Sequence, residues 1–202
     1  MRADWEKKIK KNEFILDIGC WDGKKVLELS QLSKNVYGID INTKRFESAN
    51  EKIREKLFFG DVTKKIPFNI KFDWIILSEV LEHVSDDSKT LSNISNSLKN
   101  HGKLILTTPK SIKFFEFWDP AWVRWKFLRG QRHYHYTKEE LFQKLKENKF
   151  EIKDYYITGN WGWVLARWIN VFFRYGLKSK KQIRAPGKRG FCDWIVLSEK
   201  IK

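Results

Sequence analysis

The chain has 202 residues, 42% hydrophobic and 32% charged, with four prolines and eleven glycines, so it is long enough for one well-packed domain and too poor in breakers to be a linker or a disordered tract. Forty Lys plus Arg against 25 Asp plus Glu leave a net charge of +15, which points to nucleic acid, anionic lipid or an acidic substrate without choosing among them. Cys20 and Cys192 lie far apart and residues 1–11 are charged rather than apolar, so we expect neither a disulfide framework nor a signal peptide, and a cytoplasmic protein.

Strand-length apolar runs alternate with helix-length amphipathic segments, the pattern of an α/β fold with a mostly parallel sheet and helices on both faces. Residues 14–18 read as the first strand, 24–32 as a helix, 35–40 as the second strand and 43–55 as a second helix. A short third strand follows at 56–60, a buried fourth at 72–77, a helix at 87–98 and a fifth strand at 103–107. Thr137 and Glu140 have the spacing of a capping box for a helix continuing over 139–148, and the last strands fall at 150–157 and 191–198. The whole of 1–202 is expected to form one domain.

Two stretches break the alternation, 111–132 and 159–190, and both read as insertions. The first carries Trp118, Trp122 and Trp125 at helical spacing, with Phe114, Phe115 and Phe117 ahead of them. In the second, Trp161, Val164, Leu165, Trp168, Phe172 and Tyr175 define one helical face and Arg167, Asn170, Arg174 and Lys178 the other. Six of the ten tryptophans lie in these stretches, most of the positive charge lies in them and the tail, and 178–189 is expected to be a basic loop.

The segment FILDIGCWDG (14–23) ends a buried strand in a glycine-containing turn and opens a helix, the arrangement that lets a backbone approach a nucleotide-type cofactor. Asp40 closes the second strand about twenty residues later, where a carboxylate can accept both hydroxyls of a ribose, and Asp61 follows the third strand, within reach of an adenine amine. These residues resemble motif I and its successors in the class I S-adenosylmethionine-dependent methyltransferases, of the type 11 or ubiquinone-biosynthesis-like kind, over 13–202. The pattern Asp-x-Gly-x-Gly-x-Gly matches at Asp17, Gly19 and Gly23, with Trp21 where the middle glycine usually stands. A large side chain there disfavours a pyrophosphate, and with it a nicotinamide enzyme, and suits a cofactor bearing a sulfonium and an amino acid. The resemblance implies a seven-stranded Rossmann-like sheet and S-adenosylmethionine held by Asp17, Gly19, Cys20 and Gly23 around the methionine, Asp40 and Ile41 at the ribose, Asp61 and Val62 at the adenine, and Ser78 with Glu79 at the methyl end.

The segment SEVLEHV (78–84) would bring Glu79, Glu82 and His83 onto one face if it were helical, and His133 or His135 lies where a later loop returns over the strand ends. Two carboxylates and two imidazoles make a possible shell for a divalent cation such as Mg²⁺, which would acidify an acceptor hydroxyl. The grouping is similar to the metal motifs of small-RNA 2′-O-methyltransferases and ubiquinone-biosynthesis O-methyltransferases, which implies Glu79, Glu82, His83 and His135 or His133 as ligands. Without a metal, His83, His133 or His135 is the candidate general base. His101 reads as a turn residue without chemistry.

Aromatic faces flanked by arginine and lysine suit an interfacial helix on the anionic inner face of a membrane, or equally a lid over a substrate pocket; the apolar run is too short and too often interrupted to span a bilayer. The function expected is O-methylation of a lipid-linked, quinone-like or glycan acceptor, with RNA methylation as the alternative because basic aromatic surfaces also stack unpaired bases. A cofactor-binding scaffold without catalysis is disfavoured by Glu79, Glu82 and His83.

Overall fold

A computed structural model describes residues 5–113, 115–179, 181–183 and 189–202. The expected roles of Phe114 and of 180 and 184–188 in the basic loop lie outside these residues. The strands are β1 (Ile15–Ile18), β2 (Val36–Asp40), β3 (Leu57–Phe59), β4 (Phe72–Ser78), β5 (Leu98–Pro109), β6 (Phe150–Thr158) and β7 (Asp193–Lys200). They form one seven-stranded sheet in the order β3-β2-β1-β4-β5-β7-β6, parallel except for β7, which runs antiparallel to both its neighbours.

The central strands are apolar nearly throughout because both faces are covered, as parallel sheets require. On one face Leu16, Ile18, Ile39, Ile75, Leu77, Leu104 and Leu106 pack under α3 (Asp87–Ser97) and α5 (Lys138–Glu147). On the other, Ile15, Val36, Trp74, Ile76 and Ile105 meet Val26 and Leu29 of α1 (Lys24–Leu29) and Ile53 of α2 (Glu51–Arg54). Burying a side chain of this size stabilises by about 1.5–3 kcal/mol, so the alternation of inward faces along each strand fixes register as well as stability.

Register then places the site. Ile18 pairs with Ile39 and Leu77, Asp40 with Phe59, and Ser78 with Thr107, so the residues just beyond β1, β2, β3 and β4 emerge along one edge. The chain reverses its direction of progress between β1 and β4, and open α/β sheets bind ligands at such switch points.

Some expected elements differ. The helix over 43–55 is instead a 3-10 segment, Thr43–Ser48, and the short α2, separated because Ala49 is extended and Asn50 caps α2 by accepting the Lys52 N–H. The first helix stops at Leu29, short of 32. The fifth strand begins at Leu98, so His101 lies within it, at φ +61° beside an irregularity in the β4–β5 pairing, and its ring hydrogen-bonds Glu199. The capping box is present: the Glu140 N–H donates to the Thr137 hydroxyl and the Thr137 N–H to the Glu140 carboxylate.

The stretch 111–132 holds a 3-10 turn (Glu116–Trp118) and α4 (Pro120–Trp122), prolonged by a π-type segment over Val123–Phe127. The stretch 159–190 holds α6 (Trp161–Val171), prolonged by a second π-type segment over Phe172–Gly176. Trp118 of the first packs on Val164 and Trp163 of the second and on Cys192. Among the described residues, no helix is long and apolar enough to cross a membrane.

Candidate active site

A cleft of about 1040 Å³ opens over the ends of β1 to β4, with residues of both aromatic stretches forming its far wall. The loop after β1 builds its near end. Gly19 and Gly23 take left-handed backbone conformations at φ +74° and +76°, and a Cβ at Gly19 would stand 2.4 Å from Val80 Cγ2. Trp21 is also left-handed at φ +52°, a conformation that costs a non-glycine residue about 1–2 kcal/mol. Two contacts hold it there: its N–H donates to Asp40 Oδ2 at 3.0 Å, and the Arg45 guanidinium lies 3.7 Å from the centre of its ring. Trp21 is therefore a side-chain platform beside the Asp40 carboxylate, and its bulk fills the place that a glycine would leave open.

Asp40 is buried; Oδ1 accepts the Asn42 N–H at 2.8 Å and Arg45 bridges both oxygens. Ile41, Gly60, Asp61, Val62, Ser78 and Glu79 join Gly19 and Asp40 in lining the cleft. Asp61 accepts from the Thr63 hydroxyl and N–H, and these bonds, the hydroxyl first, hold its carboxyl below the usual range. Asp17 and Cys20 line a smaller pocket behind the loop, which shares Gly19, Trp21 and Ser78 with the cleft. Burial pushes the Asp17 carboxyl up to about 7, Lys25 working against the shift and Asp40 adding to it. Burial likewise pushes the Cys20 thiol up to about 12, which makes it a packing group. Gly23 lines neither pocket; a Cβ there would press on Ile53 and Leu57, so the glycine lets α1 start against α2 and β3.

At the other end, the expected helical face of Glu79, Glu82 and His83 is absent, because Glu79 has φ +55° and the chain turns instead of coiling. Glu79 faces the cleft and its Oε1 accepts from the Thr107 hydroxyl at 3.0 Å. Glu82 points the other way into the protein, its Oε2 accepting from Thr108 at 3.3 Å. Desolvation raises the pKa of both, and the charge of Glu79 adds to the rise at Glu82. His83 borders the cleft, 4.8 Å from the His133 ring; burial first and then His133 lower its pKa, so its imidazole is neutral at physiological pH.

His133 and His135 do not line the cleft. Both are buried against Asp119, with Nε2 at 2.7 Å and 3.3 Å from the same Oδ2. Neither is therefore placed to act directly in the cleft, and His135 groups with Asp119 and His133 rather than with Glu79, Glu82 and His83. Asp119, in the Asp-Pro step that begins α4, also accepts the Ala121 N–H and meets Arg167 of α6 at 3.1 Å. Burial opposes its ionisation, but hydrogen bonds from His133 and His135 and the charge of Arg167 outweigh that and hold it well below the carboxylate range. Neither Asp119 nor Asp193, 4.0 Å from Arg167, was legible as a site residue; an Asp-Pro helix start is ordinary in sequence.

Glu82, His83 and His133 each present a ligand atom within 4.8 Å of the others, while Glu79 and His135 fall outside this group. Glu82 Oε1 and His133 Nδ1 are buried without a hydrogen-bond partner among the described residues, a cost that a cation or a hydroxyl placed between them would remove. Two imidazoles and one carboxylate fit a divalent transition metal better than Mg²⁺, which prefers oxygen donors.

Strand order, glycine turn and acidic strand ends together define a class I, Rossmann-like methyltransferase fold. The chain belongs to the methyltransferase domain family, which matches residues 9–182. It is 30% identical over 104 residues to a tRNA U34 carboxymethyltransferase of Campylobacter fetus, covering 48% of this chain and 37% of that protein. It is 31% identical over 112 residues to a ubiquinone biosynthesis O-methyltransferase of Pelagibacter ubique, covering 53% of this chain and 47% of that protein. Each match thus spans less than half of the relative's length. The fold is shared with a SAM-dependent methyltransferase of Methanosarcina mazei at 17% identity and a TM-score of 0.68, over 100% of this chain and 98% of that one.

Proposed function

We propose that this protein is an S-adenosylmethionine-dependent O-methyltransferase, a single domain in which 111–132 and 159–190 form the acceptor wall, working on a lipid-linked, quinone-like or glycan acceptor at an anionic membrane surface. The observation that carries the enzymatic reading is one cleft that joins Gly19, Asp40, Asp61 and Val62 to Glu79 and His83. Asp40 and Ile41 receive the ribose, Asp61 and Val62 the adenine, and Asp17, Gly19 and Ser78 the amino-acid end; Arg45 yields its hold on Asp40 to the ribose hydroxyls. S-adenosylmethionine bound there would supply an electrophilic methyl group to the acceptor hydroxyl oxygen and leave as the thioether, and His83 would take the hydroxyl proton. Orientation in such a cleft supplies about 7–11 kcal/mol of the barrier reduction. If a divalent ion is bound, Glu82, His83 and His133 hold it and it lowers the pKa of the acceptor hydroxyl.

The membrane reading rests on which side of α6 faces out. Arg167, Asn170 and Arg174 turn toward the cleft, whereas Trp161 (64% exposed), Leu165 (60%) and Phe172 (58%) point away from it, near Phe127 and Leu128 of the other stretch in composition and exposure. An outward apolar face on a strongly basic protein suits the headgroup boundary of anionic lipid. Val164 and Tyr175, expected on that same face, instead pack on Trp118 and border the cleft.

RNA methylation is the second reading, favoured by the similarity to a tRNA-modifying enzyme. Incubation with methyl-tritiated S-adenosylmethionine, anionic vesicles loaded with lipid extract and total RNA decides between them: label in the organic phase is expected, label in RNA selects the second reading, and failure of S-adenosylmethionine to bind overturns both.

A further inference from the structure

Five arginines border the cleft: Arg45, Arg124, Arg132, Arg167 and Arg174. Three are neutralised, Arg45 by Asp40, Arg132 by Asp87, and Arg167 by Asp119 with Asp193. Arg124 and Arg174 have no carboxylate partner among the described residues. The sequence explains why: 159–190 contains no acidic residue, and Asp119, one of two acids in 111–132, is already committed to His133, His135 and Arg167.

Both of these guanidinium groups border the same cleft. Arg124 donates a hydrogen bond to the Tyr175 hydroxyl and lies over its ring at 4.7 Å, and Arg174 precedes Tyr175 in the same π-type segment. Tyr175 thereby fixes Arg124 in advance without consuming its charge. Trp125, 5.5 Å from Arg124 and edge-on to His83 at 5.8 Å, gives a flat wall leading from the arginines to the base. Arg124 is half-buried and Arg174 exposed at the cleft border, and arginines whose charge is not balanced bind phosphate or carboxylate through charge-assisted, often bidentate hydrogen bonds.

We propose that Arg124 and Arg174 bind an anionic group, phosphate or carboxylate, on the methyl acceptor, so that the acceptor is an anionic molecule with a flat apolar body resting on Trp125. This rests on the methyltransferase reading of the cleft and adds the chemical class of its acceptor. The anion is either on a free small molecule or on a lipid headgroup.

The test uses phenyl phosphate and phenol as probes, titrated by calorimetry into the protein saturated with S-adenosylhomocysteine, at physiological salt. Phenyl phosphate is expected to bind about tenfold more tightly than phenol. R124Q/R174Q should lose that advantage, and K126Q/K178Q, which removes two exposed charges outside the cleft, should keep it. Equal binding of the two probes, or an advantage retained in R124Q/R174Q, overturns the proposal. Flotation with phosphatidylcholine vesicles, with and without phosphatidic acid, separates the sources. Capture by the acidic vesicles that R124Q/R174Q loses and K126Q/K178Q keeps assigns a lipid-borne anion; a response to phenyl phosphate alone assigns a free one; both uphold the site. If S-adenosylhomocysteine does not bind, the cofactor reading fails, and the probe comparison without it still decides the arginine site.

Discussion

Arg167 of α6 and Asp119 at the start of α4 meet at 3.1 Å, in a position where Asp119 is wholly buried and also accepts from His133 and His135. One carboxylate therefore joins both aromatic stretches to the loop that precedes α5. Removing one member of a buried pair leaves the other uncompensated, at a typical cost of about 3–5 kcal/mol. Arg167→Leu should lower the melting temperature by roughly 6–20 °C in scanning calorimetry, at about 2–4 °C per kcal/mol for a chain this long. A shift of a degree or less would show that the pair does not hold the wall.

Asp40→Ala should weaken S-adenosylmethionine at least about tenfold, since a carboxylate that accepts two ribose hydroxyls contributes more than one charge-assisted bond. It also removes the acceptor for the Trp21 N–H, so Trp21 emission should change in the free protein. Unaltered affinity by calorimetry would remove the ribose assignment.

Asp17 gives a pH dependence with a definite sign. Its carboxyl ionises near 3.8 when unfolded and is pushed up to about 7 in the fold, so between these values the native state holds a proton that the unfolded chain has released. Stability from this group is greatest below the unfolded value and falls as pH rises to about 7, then levels off, by at most about 4 kcal/mol. Denaturant titrations from acid to neutral pH should show a steeper decline in the parent than in Asp17→Asn, which keeps the share of Glu79 and Glu82; parallel curves would refute it.

Glu82→Gln tests the donor group of Glu82, His83 and His133. If it holds an ion, Mn²⁺ binding followed by electron paramagnetic resonance should weaken at least about tenfold and a chelator should abolish methyl transfer. Full activity after chelation would leave His83 as the base acting alone.

Trp161→Ala with Phe172→Ala should reduce flotation with anionic vesicles while leaving the melting temperature nearly unchanged, because both side chains are mostly exposed. Retention of vesicle binding in that variant would place membrane attachment elsewhere.

Much of the fold was legible because its signals are local. Apolar runs such as 14–18 and 72–77, the Thr137–Glu140 capping box and the glycine turn at Gly19 each depend on neighbours within a few residues. So was the placing of Asp40 and Asp61 at the edge of the cleft, since Asp40 ends β2 and Asp61 follows β3. The acceptor end was not. Glu79 departs from helix through a left-handed backbone, which sends Glu79 into the cleft and Glu82 into the core, and no helical periodicity reveals that.

What the sequence by itself determined was the alternating αβ pattern, the turn after β1 and the acidic strand ends, because hydrophobic period and backbone preference act over short distances. What only the tertiary structure decided was the company each charge keeps: that Asp119 takes His133, His135 and Arg167, that His83 alone of His83, His133 and His135 borders the cleft, and that α6 turns Arg167 toward it. Those pairings join residues up to 48 positions apart, as Asp119 and Arg167 are, and electrostatic partnership at such separations is fixed by packing of the intervening chain rather than by any pattern along it.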